Sequence, residues 1–212
     1  MGRTWTMTKE EEAANAITHG VMALITLLGI PAVAVNGFIE GGTLYAATKS
    51  IFMISMFGMF ITSCLYHSMP PSGSHKKVFR LLDHIFIFIA IAGSYTPLSL
   101  IAIGGWLGWS MVIFQWALVV IGALYKSLSK HAVPKVSLTL YLLMGWTAVV
   151  LLPSILKNAG LGLLTAVLAG GLFYSVGAAF YSMKGFKYHH MVWHLFIILG
   201  AASHFVAIVF LI

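Results

Sequence analysis

Charge is what this sequence has least of. Of 212 residues only 12 are Lys or Arg and 5 are Asp or Glu, 8% in all. With 60% hydrophobic residues and a mean hydropathy of +0.96, that scarcity excludes a water-soluble globular domain and places the chain in a lipid bilayer. A single cysteine, Cys64, rules out an intramolecular disulfide and lies in an apolar run, where it reads as a packing residue. The apolar runs lack the strict polar–apolar alternation of barrel strands, so they are helices. No basic segment precedes the first of them. The opening dozen residues are polar and carry Glu10-Glu11-Glu12, which argues against a cleavable signal and makes the first span its own uncleaved signal. Ala32-Val33-Ala34 resembles a cleavage site only in its small residues, and "MGRTWT" fits a myristoylation pattern of low specificity.

Stretches free of Asp, Glu, Lys and Arg run from Ala13 to Ile39, Ser50 to His75, His84 to Tyr125, Val136 to Leu156, Asn158 to Met183 and Tyr188 to Ile212. A spanning helix needs about 20 apolar residues. Five of these windows hold one helix each, and the long third window, interrupted by Gly104-Gly105, holds two. The expected fold is therefore an all-α membrane protein, a seven-transmembrane helix bundle with spans near 17–37, 48–69, 82–103, 107–125, 136–155, 160–182 and 189–211. Residues 1–16 form a short cytoplasmic segment, and 17–212 a single transmembrane domain.

A net charge of +7 raises nucleic acid as a partner, but the placement of the basic residues answers otherwise. With the N-terminus inside, the inner segments hold Arg3, Lys9, Lys76, Lys77, Arg80, Lys126, Lys130, Lys135, Lys184 and Lys187, and the outer ones only Lys49 and Lys157. That bias orients the bundle with its N-terminus in the cytoplasm and its C-terminus outside, and it accounts for the basic balance. The partners expected are membrane lipids, whose anionic headgroups the basic side would attract, with a homo-oligomer left open and nucleic acid excluded. Small residues inside the spans (Gly93, Ser94, Gly170, Gly171, Gly177, Ala178, Ala179) suit close helix packing, and Pro97 predicts a kink.

Chemistry concentrates at the cytoplasmic ends. Asp83 is a carboxylate at the edge of a span and needs a partner or water. On this topology His67, His84, His190 and His194 lie at comparable depth. The last two, at i and i+4, sit about 40° apart around a helix and about 6 Å apart along it, so both rings can reach one ion. His189 is offset from His190 by about 100°, and His204 lies about 15 Å beyond His194, so neither joins readily. Three imidazoles with an open fourth position suit Zn²⁺ and leave room for water, with Asp83 either a direct ligand or the holder of that water. Ser63, one turn from His67, faces the same side. His19 either lines an entrance or, the favoured reading, makes an interfacial hydrogen bond. His75 and His131 are loop residues.

The series "EEAANAITHG", "SCLYH", "LLDH", "GSYTP" and "HHMVWH", in that order along nearly the whole chain, resembles the haemolysin III family, the bacterial branch of the progestin and adiponectin receptor superfamily. The resemblance implies a zinc site near the cytoplasmic face with His67, His190 and His194 as ligands, Asp83 acting through water and Ser63 nearby. It also implies a kinship with alkaline ceramidases, hence a zinc-dependent hydrolase of a membrane lipid amide or ester in the cell membrane. The alternative is a non-enzymatic lipid-sensing or membrane-homeostasis protein with a structural zinc. The pore-forming role suggested by the haemolysin name is disfavoured, since seven apolar spans cannot stay soluble before insertion. A transporter is weaker still, because the ionisable groups gather at one face and not at the midplane.

Overall fold

The computed structural model describes residues 7–71, 73–129, 134–183 and 186–212, and among these every regular element is helical. The myristoylation-like start, Arg3, Lys130, His131 and Lys184 fall outside the described residues. In chain order come α1 (Lys9–Ser68), α2 (Ser74–Pro97), a π-helical stretch (Leu98–Ile103), α3 (Gly105–Leu128), α4 (Pro134–Trp146), α5 (Ala148–Ser182) and α6 (His189–Phe210). Among the described residues five helical stretches are long and apolar enough to cross a membrane: Lys9–Ser68, Ser74–Ile103, Gly105–Leu128, Val136–Ser182 and His189–Phe210. The large apolar side chains that point outward, such as Leu28, Ile39, Trp106 and Phe210, leave an exterior suited to hydrocarbon.

Two of the five stretches are not straight. A continuous helix of 60 residues would be about 90 Å long, three times a bilayer's hydrocarbon core. Gly41 (φ −154°, ψ 24°) and Gly42 (φ 66°, ψ −153°) break it, the second in a region open to little but glycine. The two halves then pack back on each other. A Cβ at Gly20 would lie 3.0 Å from Cys64 Sγ, and one at Gly37 only 3.1 Å from Ala46 N. These pairings make α1 an antiparallel helical hairpin, with small residues at the seam as its close approach requires. In α5 the break falls at Gly160 (φ 80°), and the return is closed by Trp146 Nε1, which donates to Ser175 Oγ at 3.1 Å.

Pro97 closes α2, and the backbone opens immediately into the π-helical turn, consistent with the missing N–H and ring clash of an interior proline. The core gathers Phe52, Met56 and Phe60 from α1, Leu98 from the π-helical stretch, Ile155 from α5 and Ile208 from α6. Gly177 and Gly200 admit Phe196 and Tyr174 between α5 and α6, as small-residue packing predicts; Gly171 has open space beside it instead and borders the central cavity. Lys49, counted among the outer basic residues from the sequence, is fully buried: Nζ meets Glu40 Oε2 at 2.6 Å and donates to Val209 O at 3.3 Å and Ile212 O at 3.0 Å. It ties the α1 hairpin turn to the end of α6, supplying a donor to terminal carbonyls that have no helical partner.

Candidate metal centre

The second half of α1 carries Ser63 and His67 on one face and ends one residue later at Ser68. α6 begins at His189, so His190 and His194 occupy its first two turns. The fold brings these ends together. The ring of His67 lies 5.0 Å from that of His190 and 5.2 Å from that of His194, and the latter two are 4.8 Å apart. One nitrogen from each of the three rings lies within 4.8 Å of the other two.

Hydrogen bonds decide which nitrogen that is. His67 Nδ1 is 2.6 Å from Glu12 Oε2; an ionised carboxylate only accepts, so Nδ1 carries the proton and Nε2 the lone pair. His194 Nδ1 is 3.3 Å from Thr18 Oγ1, whose own hydrogen is donated to Asn15 O at 2.9 Å. The hydroxyl therefore accepts, and His194 too keeps its lone pair on Nε2. The Nε2 atoms of His67, His190 and His194 are all buried without a hydrogen-bond partner. Leaving such a group unsatisfied costs about 1–3 kcal/mol, and three facing one another are a strongly unfavourable arrangement unless they share a ligand. Three imidazoles with free nitrogens close together, two of them, His67 and His194, held by an outer hydrogen bond, fit a transition-metal ion.

Asp83, on α2, is buried and stands outside the three-histidine group, which does not favour it as a direct ligand. Ser63 is also buried, its hydroxyl lacking a partner. Beside the histidines opens a cavity of about 420 Å³ between the helices. Asp83, His190, Met56, Tyr95, Leu98 and His204 are among the residues that line it. An apolar chamber with a few polar groups suits a lipid chain.

The remaining histidines separate. His84 turns Nδ1 to Arg80 O at 2.7 Å and does not join the group. His189 directs Nδ1 to Phe186 O at 3.1 Å, and His204 approaches Val167 O at 3.4 Å beside Tyr174, each apart from the cluster. His75 is exposed. His19 departs from expectation: it makes no interfacial hydrogen bond but is buried with neither ring nitrogen partnered. Its ring lies flat on His194, centroids 3.6 Å apart and planes within 5°, with Phe60 edge-on at 5.1 Å. The sequence reading also passed over Glu11 and Glu12. A signal was available, since Glu12, Asn15 and His19 fall at i, i+3 and i+7, a polar stripe on an otherwise apolar helix.

Residues 7–205 match the family model described as Haemolysin-III related. The chain is 33% identical over 201 residues to Hemolysin-3 of Bacillus cereus, covering 95% of this chain and 91% of that one. It is 33% identical over 209 residues to a Hemolysin-3 homolog of Bacillus subtilis (strain 168), covering 96% and 95%. It is 29% identical over 203 residues to the human monocyte to macrophage differentiation factor, covering 93% and 83%. Apolar helices in number and a match along almost the whole length agree: this is a multi-pass protein of the cell membrane, and it belongs to the haemolysin III family.

Proposed function

We propose that the chain is a seven-pass membrane protein, N-terminus cytoplasmic and C-terminus outside, that holds Zn²⁺ on His67, His190 and His194 and hydrolyses a lipid amide or ester. The breaks at Gly41-Gly42 and Gly160 support the seven passes, since each divides an overlong helical stretch into two. An odd number of passes puts the termini on opposite sides. Lys9, Lys76, Lys77, Arg80, Lys126 and Lys187 then fall on the histidine side, which supports a cytoplasmic site.

One observation carries the enzymatic reading: three buried, unpartnered Nε2 atoms converge beside an apolar cavity that Asp83 also borders. A bound Zn²⁺ supplies Lewis-acid polarisation of a carbonyl and acidifies water at neutral pH. The cavity receives the acyl chain and sets the carbonyl at its polar end. Asp83 takes the proton from the attacking water and returns it to the leaving amine or alcohol. Ser63 offers its free hydroxyl to a substrate oxygen.

A structural zinc in a non-enzymatic lipid sensor is the second reading. It is favoured by the near-complete burial of His67 and His194, 3% and 0% exposed, as in closed structural sites. The two readings part on Asp83→Asn and His194→Ala. A hydrolase loses turnover in both while Asp83→Asn keeps its zinc; a structural site tolerates Asp83→Asn and suffers from His194→Ala. A mass-spectrometric screen of ceramides, acyl amides and phospholipids with zinc-replete protein supplies the activity, and no turnover of any of them defeats the hydrolase. The two bacterial relatives carry hemolysin in their names, but a pore is the least supported reading here.

A further inference from the structure

The first turn of α1 reaches both histidine-bearing elements through two adjacent carboxylates. Glu11 and Thr8 form a capping box: Glu11 N–H donates to Thr8 Oγ1 at 3.3 Å, and Thr8 N–H donates to Glu11 Oε2 at 2.8 Å. The other oxygen, Glu11 Oε1, accepts the backbone N–H of Tyr188 at 2.8 Å. Tyr188 is the N-cap of α6, two residues before His190, and has a left-handed backbone at φ 64°, ψ 16°. Among the described non-glycine residues it alone has a positive φ, a conformation uncommon for a bulky side chain. Glu12 points the other way. Its Oε2 holds His67 Nδ1 at 2.6 Å, and its Oε1 accepts from Lys76 Nζ at 2.6 Å, which also donates to Met69 O at 3.2 Å.

Acidic residues in a helix's first turn have an ordinary role, stabilising the positive end of its dipole. Glu10 is exposed and turns to Thr8, with no hydrogen bond to a histidine or to the α6 backbone. Glu11 and Glu12 do something the dipole does not require, since their side chains close contacts 177 and 55 residues away along the chain.

Resting on the proposed metal site, we infer that Glu11 and Glu12 are positioning residues for it: Glu12 fixes the His67 tautomer that frees Nε2, and Glu11 seats the start of α6 so that His190 and His194 face that nitrogen. The amino-terminal turn is thus a clasp on which metal affinity depends. Glu12 is the stronger half, because it acts on a ligand ring directly and its charge raises the basicity of that ring. Lys76 extends the clasp to the first turn of α2.

The experiment uses the full chain in detergent micelles, measuring zinc affinity by chelator competition and the visible spectrum of the Co²⁺-loaded protein. Glu12→Ala is expected to weaken zinc by about 10- to 100-fold and to change the cobalt bands, Glu12→Gln to recover part of both through its remaining acceptor, and Glu11→Gln to lose several-fold. Glu10→Gln stays within about twofold of the parent, as its lack of a contact to the site requires. Unchanged affinity and cobalt spectrum in Glu12→Ala overturn the inference, as does an equal loss in all three positions, which marks a helix-end effect. Where Glu12→Ala does not fold, Glu12→Gln decides: a several-fold loss supports the clasp, and parental affinity overturns it. A parent that binds neither ion defeats the metal site itself and the clasp with it, whereas a parent that binds zinc while Glu12→Ala binds it equally well removes the clasp alone.

Discussion

The two ends of the bundle both bury ionisable groups, and they treat them in opposite ways. At the Gly41-Gly42 end Lys49 is fully enclosed, yet it has a carboxylate and two backbone carbonyls as partners. At the other end, about 27 Å away along the second half of α1, the buried imidazoles keep unmet hydrogen-bonding capacity, His19 on both ring nitrogens. His67 and His194 use Nδ1 and leave Nε2 without a partner. A buried polar group whose hydrogen bonds close within the protein is structural, while a set left open toward a common point is built for something that is not protein. Burial alone does not separate these ends; the direction of the unmet hydrogen-bonding capacity does.

Removing a ligand should break the contrast most severely. His194→Ala is expected to lower zinc affinity by at least about 100-fold, and saturating zinc, which raises the thermal unfolding midpoint of the parent, should leave that of the variant unmoved. A variant that still gains stability from zinc would place the ion elsewhere. Lys49→Met tests the opposite end. It leaves two carbonyls without their donor and takes from Glu40 its buried cation, so the protein should lose about 1–3 kcal/mol in chemical unfolding while zinc affinity stays at the parental value. A loss of zinc in Lys49→Met would mean that the ends are not independent.

Gly42→Ala comes next. Its backbone at φ 66°, ψ −153° is one that alanine adopts only at a cost of about 1–3 kcal/mol, again with no effect on metal. The smallest change is expected from His204→Phe, which keeps an aromatic ring against Tyr174 and gives up only a long contact to Val167 O. Stability within about 1 kcal/mol and unchanged zinc binding are predicted there; a loss of zinc would bring His204 into the site.

Much of the site was legible along the chain because its spacing is local. His190 and His194 share a helix face by their four-residue separation, and Ser63 and His67 do so for the same reason. Glu12 was not legible as the partner of His67, nor Glu11 as the partner of Tyr188, because those contacts depend on how α1 folds back at its glycine pair and how α6 docks against it. His19 shows the same limit. Its stacking on His194 joins residues 175 positions apart, and no periodicity within one helix contains that information. Lys49, counted from the sequence among the outer basic residues, shows the limit again: its enclosure by Glu40 and the end of α6 joins segments that no periodicity within α1 relates.

Composition by itself determined the solvent, the helical class and the membrane location, since 60% hydrophobic residues and so few charges leave the chain nowhere else to fold. Only the tertiary structure decided that His67 meets His190 and His194 while His84 turns away, and which nitrogens of His67 and His194 are held by Glu12 and Thr18. A helix face is fixed by a repeat of 3.6 residues, but the meeting of two faces and the assignment of each ring's hydrogen bonds are settled by packing between segments far apart in sequence.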